Sequence, residues 1–129
     1  MIFVDSNVPM YLIGAPHPNR ELVVAFLRDS PEEDYVTSAE VYQEVLHRYV
    51  AVDRREAASR AFALLDNMTD RVFDVTRDDV MAATDHAIAQ PGLSARDCLH
   101  LAVMSSHGVG RIMTFDRAFA GVPGVTTLP

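Results

Sequence analysis

Apolar residues along this chain follow two alternating rhythms. Short runs of strand character fall at residues 2–5, 35–37, 71–75, 111–114 and 125–127. Between them, apolar positions recur every three or four residues, which predicts helices. Residues 8–13 form a short helical or turn segment, with Pro9 in a first turn where its missing N–H does no harm. Residues 14–19, rich in Gly and Pro, are a loop. Asn19 is expected to cap a helix through Arg28 that places Leu22, Val23, Phe26 and Leu27 on one face. After an acidic loop at 29–34, a helix from Ser38 to Tyr49 carries Val41, Tyr42, Val45 and Leu46. Asp53 is expected to cap the next, to about Asn67, with Ala57, Ala58, Ala61, Leu64 and Leu65. Thr76 caps residues 77–89, whose core face should be Val80, Ala83 and Ala87. Ser94 opens a last helix that Gly108 and Gly110 end.

Strands alternating with helices predict a three-layer α/β/α fold around a parallel sheet of about five short strands. The 129 residues suffice for one such domain, spanning 1–129, and not for two. No apolar run approaches the ~20 residues of a membrane span. A strand that begins at residue 2 is expected of a chain without a leader. The single cysteine, Cys98, fits a reducing, cytoplasmic setting.

The net charge of -7 argues against a broad basic nucleic-acid surface. Acids gathered around a divalent cation would invert the sign locally. All eleven basic residues are arginine. Receiver-type phosphoacceptor domains and haloacid-dehalogenase-type phosphatases pair their aspartates with a lysine, so its absence counts against both.

Four acids stand out by position. Asp5 and Asp116 each follow a strand, and in a parallel sheet both strand ends reach the same rim, where such sheets bind ligands. Turn and cap chemistry also favours Asp there. Asp97 closes a capping box, Ser94-Ala95-Arg96-Asp97, yet it lies in line with Leu101 and Met104 on the face that should pack inward. Glu44 sits one turn inside its helix between Val41 and Val45. It is either a ligand or a solvated acid paired with Arg48. Glu40 completes Thr37-Ser38-Ala39-Glu40, which has the form of a capping box. Ser6, Asn7 and Thr114 are small polar residues beside the rim acids, placed either to orient a carboxylate or to cap a turn. Gathered carboxylates repel unless a cation neutralises them, and oxygen-rich sites select Mg²⁺ or Mn²⁺. The histidines show no zinc spacing. His47, His86, His100 and His107 read as structural or surface residues.

In four places, the chain resembles PIN-domain ribonucleases and, within them, the VapC-type toxins of toxin–antitoxin pairs. They are residues 2–7, 37–45, 93–102 and 113–119, in that order along the whole chain. The resemblance implies a PIN-like fold with its acids at Asp5, Glu44, Asp97 and Asp116, the spacing favouring Glu44 over Glu40. It further implies Mg²⁺- or Mn²⁺-dependent cleavage of RNA, a homodimer and a cognate antitoxin. Asp5 and Asp97 would hold the ion most directly, with Glu44 and Asp116 completing the site. Arg20, Arg48, Arg96 and Arg117 are candidate phosphate contacts, since guanidinium pairs with phosphate in a bidentate fashion. A non-catalytic domain of this fold and a structure-specific DNA nuclease are the alternatives.

Overall fold

Ile2, Phe3 and Val4 have no exposed surface, and they form the middle strand of the sheet. The computed structural model describes residues 1–129. Its strands are β1 (Ile2–Val4), β2 (Tyr35–Ser38), β3 (Arg71–Phe73), β4 (Arg111–Met113) and β5 (Thr126–Leu128). They pair in parallel in the order β3-β2-β1-β4-β5. Burial of β1 on both faces explains why its sequence shows no polar alternation. Ile112 and Met113 of β4 and Val36 of β2 are equally buried, and Phe119, Leu65 and Met104 close over them. Each such side chain contributes about 1.5–3 kcal/mol.

The helices are α1 (Asn7–Ile13), α2 (Pro18–Asp29), α3 (Ala39–Ala51), α4 (Arg55–Met68), α5 (Arg77–Ala89) and α6 (Ala95–Ser106). The expected three-layer α/β/α arrangement is present. α5 packs on α6, α1 on α2 and α4, and α3 touches both α4 and α6. A smaller apolar cluster joins Val45 and Tyr49 of α3 to Ala57, Ala58 and Ala61 of α4. The small alanines allow that close approach. No helix is long and apolar enough to cross a membrane.

The order of strands places a reversal beside β1. The chain runs outward through β2 and β3, then returns to add β4 and β5 on the other side. Ligand crevices of open α/β sheets lie at such a point, beyond the carboxyl ends of the strands. Asp5 follows β1 there, and its N–H extends the ladder by donating to the Met113 carbonyl at 3.1 Å. The Thr37 hydroxyl closes the other flank by donating to the Val4 carbonyl at 2.9 Å.

Several local expectations are corrected. α2 begins one residue before Asn19: His17 is its N-cap, and the His17 Nδ1 accepts the Asn19 N–H at 3.0 Å. Asp53 does not cap α4. It adopts φ 54, and Arg54 precedes the helix without a side-chain bond. The apparent box at Thr37–Glu40 does not form: Ser38 stands at the N-cap with its hydroxyl buried and unpaired, while Thr37 is committed to Val4. The apolar face expected on α5 is buried only at Ala83. Val80 is 53% exposed, Met81 56% and Ile88 77%, and Ala87 is also exposed. The boxes at Thr76–Asp79 and Ser94–Asp97 both form reciprocally.

These caps make a testable pair. Thr76→Ala should cost about 1 kcal/mol, seen as a melting temperature lower by a few degrees. Ser38→Ala should cost nothing or stabilise slightly, because the hydroxyl it removes is buried without a partner. Equal losses in thermal melts of the two variants would contradict this assignment of the caps.

Candidate active site

β1, α3 and α6 converge on the sheet reversal, and each delivers an acid there. Asp5, Glu44, Asp97 and Asp116 line one cleft of about 550 Å³ together with Ser6, Asn7 and Arg96. Asp5 is buried, Glu44 and Asp97 are half-buried, and Asp116 is exposed at the mouth. Every small polar residue singled out in the sequence is bonded into this group. The Ser6 N–H donates to Asp5 Oδ1 at 2.7 Å, and the Thr114 hydroxyl donates to Oδ2 at 2.6 Å. The Asn7 amide donates to Asp5 Oδ2 at 3.4 Å and to the Thr114 hydroxyl at 3.1 Å. Its carbonyl accepts the Phe115 N–H at 3.3 Å, so Asn7 ties the start of α1 to the segment after β4. The Ser6 hydroxyl also donates to Glu44 Oε1.

Asp97 satisfies both of its readings. Its carboxylate accepts the Ser94 N–H at 3.4 Å, and it also faces the cleft in line with the buried Leu101 and Met104. Asp116 accepts the Ala118 N–H at 2.9 Å, and its own N–H donates to Thr114. Glu44 makes no ion pair with Arg48; it faces Ser6 and His100. Glu40 lies outside the cleft of the four acids, 3.9 Å from Arg96.

The sequence pattern of the PIN domain matches residues 2–125. The chain is 48% identical over 130 residues to the ribonuclease VapC13 of Mycobacterium tuberculosis, covering 99% of each. The chain belongs to the PIN-domain family, in its VapC branch. Its fold is similar to the crystal structure of M. tuberculosis VapC20, a sarcin-ricin loop cleaving toxin. The TM-score is 0.78 at 25% identity, over 97% of this chain and 98% of that one. It is also similar to a toxin–antitoxin complex from Klebsiella pneumoniae, with TM-score 0.72, 19% identity and coverage of 98% and 97%.

One member of the cluster in this PIN domain escaped the sequence reading. His100 was assigned a structural or surface place. It is fully buried, and it directs Nε2 at Asp5 Oδ1 (3.8 Å) and Glu44 Oε2 (3.6 Å). The signal was available: His100 stands three residues after Asp97, which puts both on one side of α6. The aromatic side was missed too. Tyr11 of α1 borders an adjoining cleft of about 580 Å³ and packs edge-on against Phe115 (5.2 Å) and beside His17 (4.8 Å). Arg48, Arg96 and His47 line that second cleft, whereas Arg20 and Arg117 line neither.

Electrostatics in the cluster are tightly balanced. Burial raises the Asp5 carboxyl above its ordinary range; Glu44 adds to this, and His100, Thr114 and Ser6 oppose it. Burial also works against ionisation of Glu44, but His100, Ser6 and Arg96 outweigh it and hold that carboxyl below its ordinary value. Burial disfavours the imidazolium of His100, yet Glu44, Asp5 and Asp97 together raise its pKa. Asp97 is raised by burial, with Asp116 contributing and Ser94 opposing.

These directions fix a pH dependence for the protein without added cations. The folded state binds the His100 proton more tightly than the unfolded chain does. That stabilisation is complete below the unfolded pKa and is lost as pH rises through the folded one. The raised Asp5 acts in the same sense. Glu44, with its lowered value, loses stabilisation only as pH falls into the acid range. Melting temperature measured with chelator should therefore fall from mildly acid to mildly alkaline pH, and His100→Leu should flatten that slope. A flat profile in the parent protein would contradict the assignment.

Proposed function

We propose that this chain is a divalent-cation-dependent endoribonuclease, the toxin of a toxin–antitoxin pair, acting in the cytoplasm. The observation that carries the reading is the convergence of Asp5, Glu44, Asp97 and Asp116 in one cleft at the sheet reversal. The donor set suits Mg²⁺ or Mn²⁺: four carboxylates crowd a cleft that one cationic side chain, Arg96, lines. A bound cation of this kind lowers the pKa of water and neutralises charge on a phosphodiester.

The chain's own residues then divide the work. Asp5 and Asp97 hold the ion, and Ser6, Asn7 and Thr114 fix the Asp5 carboxylate by hydrogen bonds. Glu44, held by Ser6, completes the site from α3. Asp116, exposed at the mouth, completes the acids of the site, and the attacking water is activated by one carboxylate or by the cation itself. Arg48 and Arg96 face the adjoining cleft and take the phosphates of the RNA on either side. Tyr11 offers a ring edge to a neighbouring base.

Purified protein should cleave RNA with Mg²⁺ or Mn²⁺ and stop with chelator. Asp5→Asn and Asp97→Asn should each lose roughly a thousandfold or more in kcat, equivalent to several kcal/mol, without a lower melting temperature. Glu44→Gln should fall with them, while Glu40→Gln, which loses only a long ion pair, keeps activity and stability. Arg48→Ala should raise KM roughly tenfold at unchanged kcat. Full activity in both aspartate variants would refute the site. Induced expression should arrest growth, with relief by a small protein encoded beside it; normal growth would refute the toxin role.

A homodimer is also proposed. It is supported by Val80, Met81 and Ile88, which are exposed together on one side of α5. Light scattering should report two chains for the parent and one for Met81→Glu/Ile88→Glu. A monomeric parent would end this proposal.

A further inference from the structure

His100 is fully buried, and neither of its ring nitrogens has a hydrogen-bond partner. A buried polar group left unpaired costs free energy. The ring packs against Phe3 at 5.6 Å and is aimed at the two innermost carboxylates. Nε2 is 3.8 Å from Asp5 Oδ1 and 3.6 Å from Glu44 Oε2, too far for hydrogen bonds. Two ligand atoms that share an ion at about 2.1 Å stand roughly 3 to 4.2 Å apart, so these separations match ligands around a common centre. His100 does not line the open cleft, whereas Asp5 and Glu44 do. A centre between the three therefore lies inward of the cleft and is reached from it.

We propose that His100 Nε2, Asp5 Oδ1 and Glu44 Oε2 form an inner divalent-cation position with one nitrogen ligand, which favours a first-row transition ion such as Mn²⁺ over Mg²⁺. It rests on the reading that the acidic cleft binds a divalent cation. The chemistry follows from the ligand types. Mg²⁺ demands oxygen ligands and keeps much of its water, whereas imidazole nitrogen binds the transition ions more strongly. Two carboxylates and a neutral imidazole balance the charge of a divalent ion, so the occupied site is neutral, which suits its low exposure. An imidazole that coordinates the ion through Nε2 must be neutral. Ser6 becomes a support for both carboxylates, through its N–H to Asp5 and its hydroxyl to Glu44.

Pulsed electron paramagnetic resonance of the Mn²⁺-loaded full chain tests this directly. Directly bound imidazole should give nitrogen modulation on the Mn²⁺ signal, altered when histidine is ¹⁵N-labelled and absent in His100→Gln. His47→Gln, on the neighbouring cleft, should leave it unchanged. Titration of the same signal should show Mn²⁺ weakened at least about tenfold by His100→Gln, with Mg²⁺ competition nearly unaffected. The parent spectrum decides the matter even if the variant folds poorly. Bound Mn²⁺ without nitrogen modulation, or modulation that persists in His100→Gln, overturns the inner position and leaves the carboxylate cleft standing. Failure of both Mn²⁺ and Mg²⁺ to bind overturns the cleft as a cation site and this inference with it.

Discussion

A carboxylate withdrawn from water at the end of the central strand is the constraint on which this structure turns. Burying a charged group costs several kcal/mol unless donors or an opposite charge meet it. Asp5 is 3% exposed; donors from the start of α1 and the end of β4 meet it, and His100 of α6 faces it at 3.8 Å. Ser6 and Asn7 are chain neighbours of Asp5, whereas Thr114 and His100 come from distant segments. The pairing of β1 with β4 therefore does more than close the sheet. It brings Thr114 within reach of Asp5 and Asn7 and holds the segment that carries Asp116.

The same constraint explains how an acidic protein can face a polyanion. The net charge is -7, but Arg96 lines the cleft of the four acids, and Arg48 joins it in the adjoining cleft. On the proposed function, the four acids would form a receptor for a cation, and an occupied receptor would no longer repel phosphate. Because β1 lies at the reversal in strand order, the cleft sits where helices diverge and leave the strand ends open. α3 and α6 touch each other beside this opening, which is why Glu44 and Asp97 can share it. The match to VapC13 extends over 99% of each chain, and the fold match to VapC20 over 97% of this one.

The parts of the chain away from the cleft serve stability and contact. α3 and α4 form a tight pair through alanines, and α5 is fastened by its capping box and by Ala83 against Cys98 and Ala102. Cys98 is buried, and burial raises its thiol above the ordinary value, so it behaves as a small apolar residue and not as a nucleophile. The outer side of α5 is left apolar and uncovered within one chain.

The alternation of apolar runs and helical periodicities determined the element order, the parallel sheet and the positions of the four acids at strand ends and inward helix faces. These are local properties, and every expected element is present with ends shifted by no more than two residues. Capping was legible only where both partners of a box were free: Thr76 and Ser94 cap their helices, whereas Thr37 was drawn off to the Val4 carbonyl and Ser38 was left unpaired. The tertiary structure alone decided that Glu44 turns from Arg48 toward Ser6, that Val80 faces outward, and that His100 belongs with Asp5. Each of these depends on which element lies across from the residue. Sequence periodicity reports which face of a helix is turned inward, but the partner that waits on that face is set by the packing of the sheet.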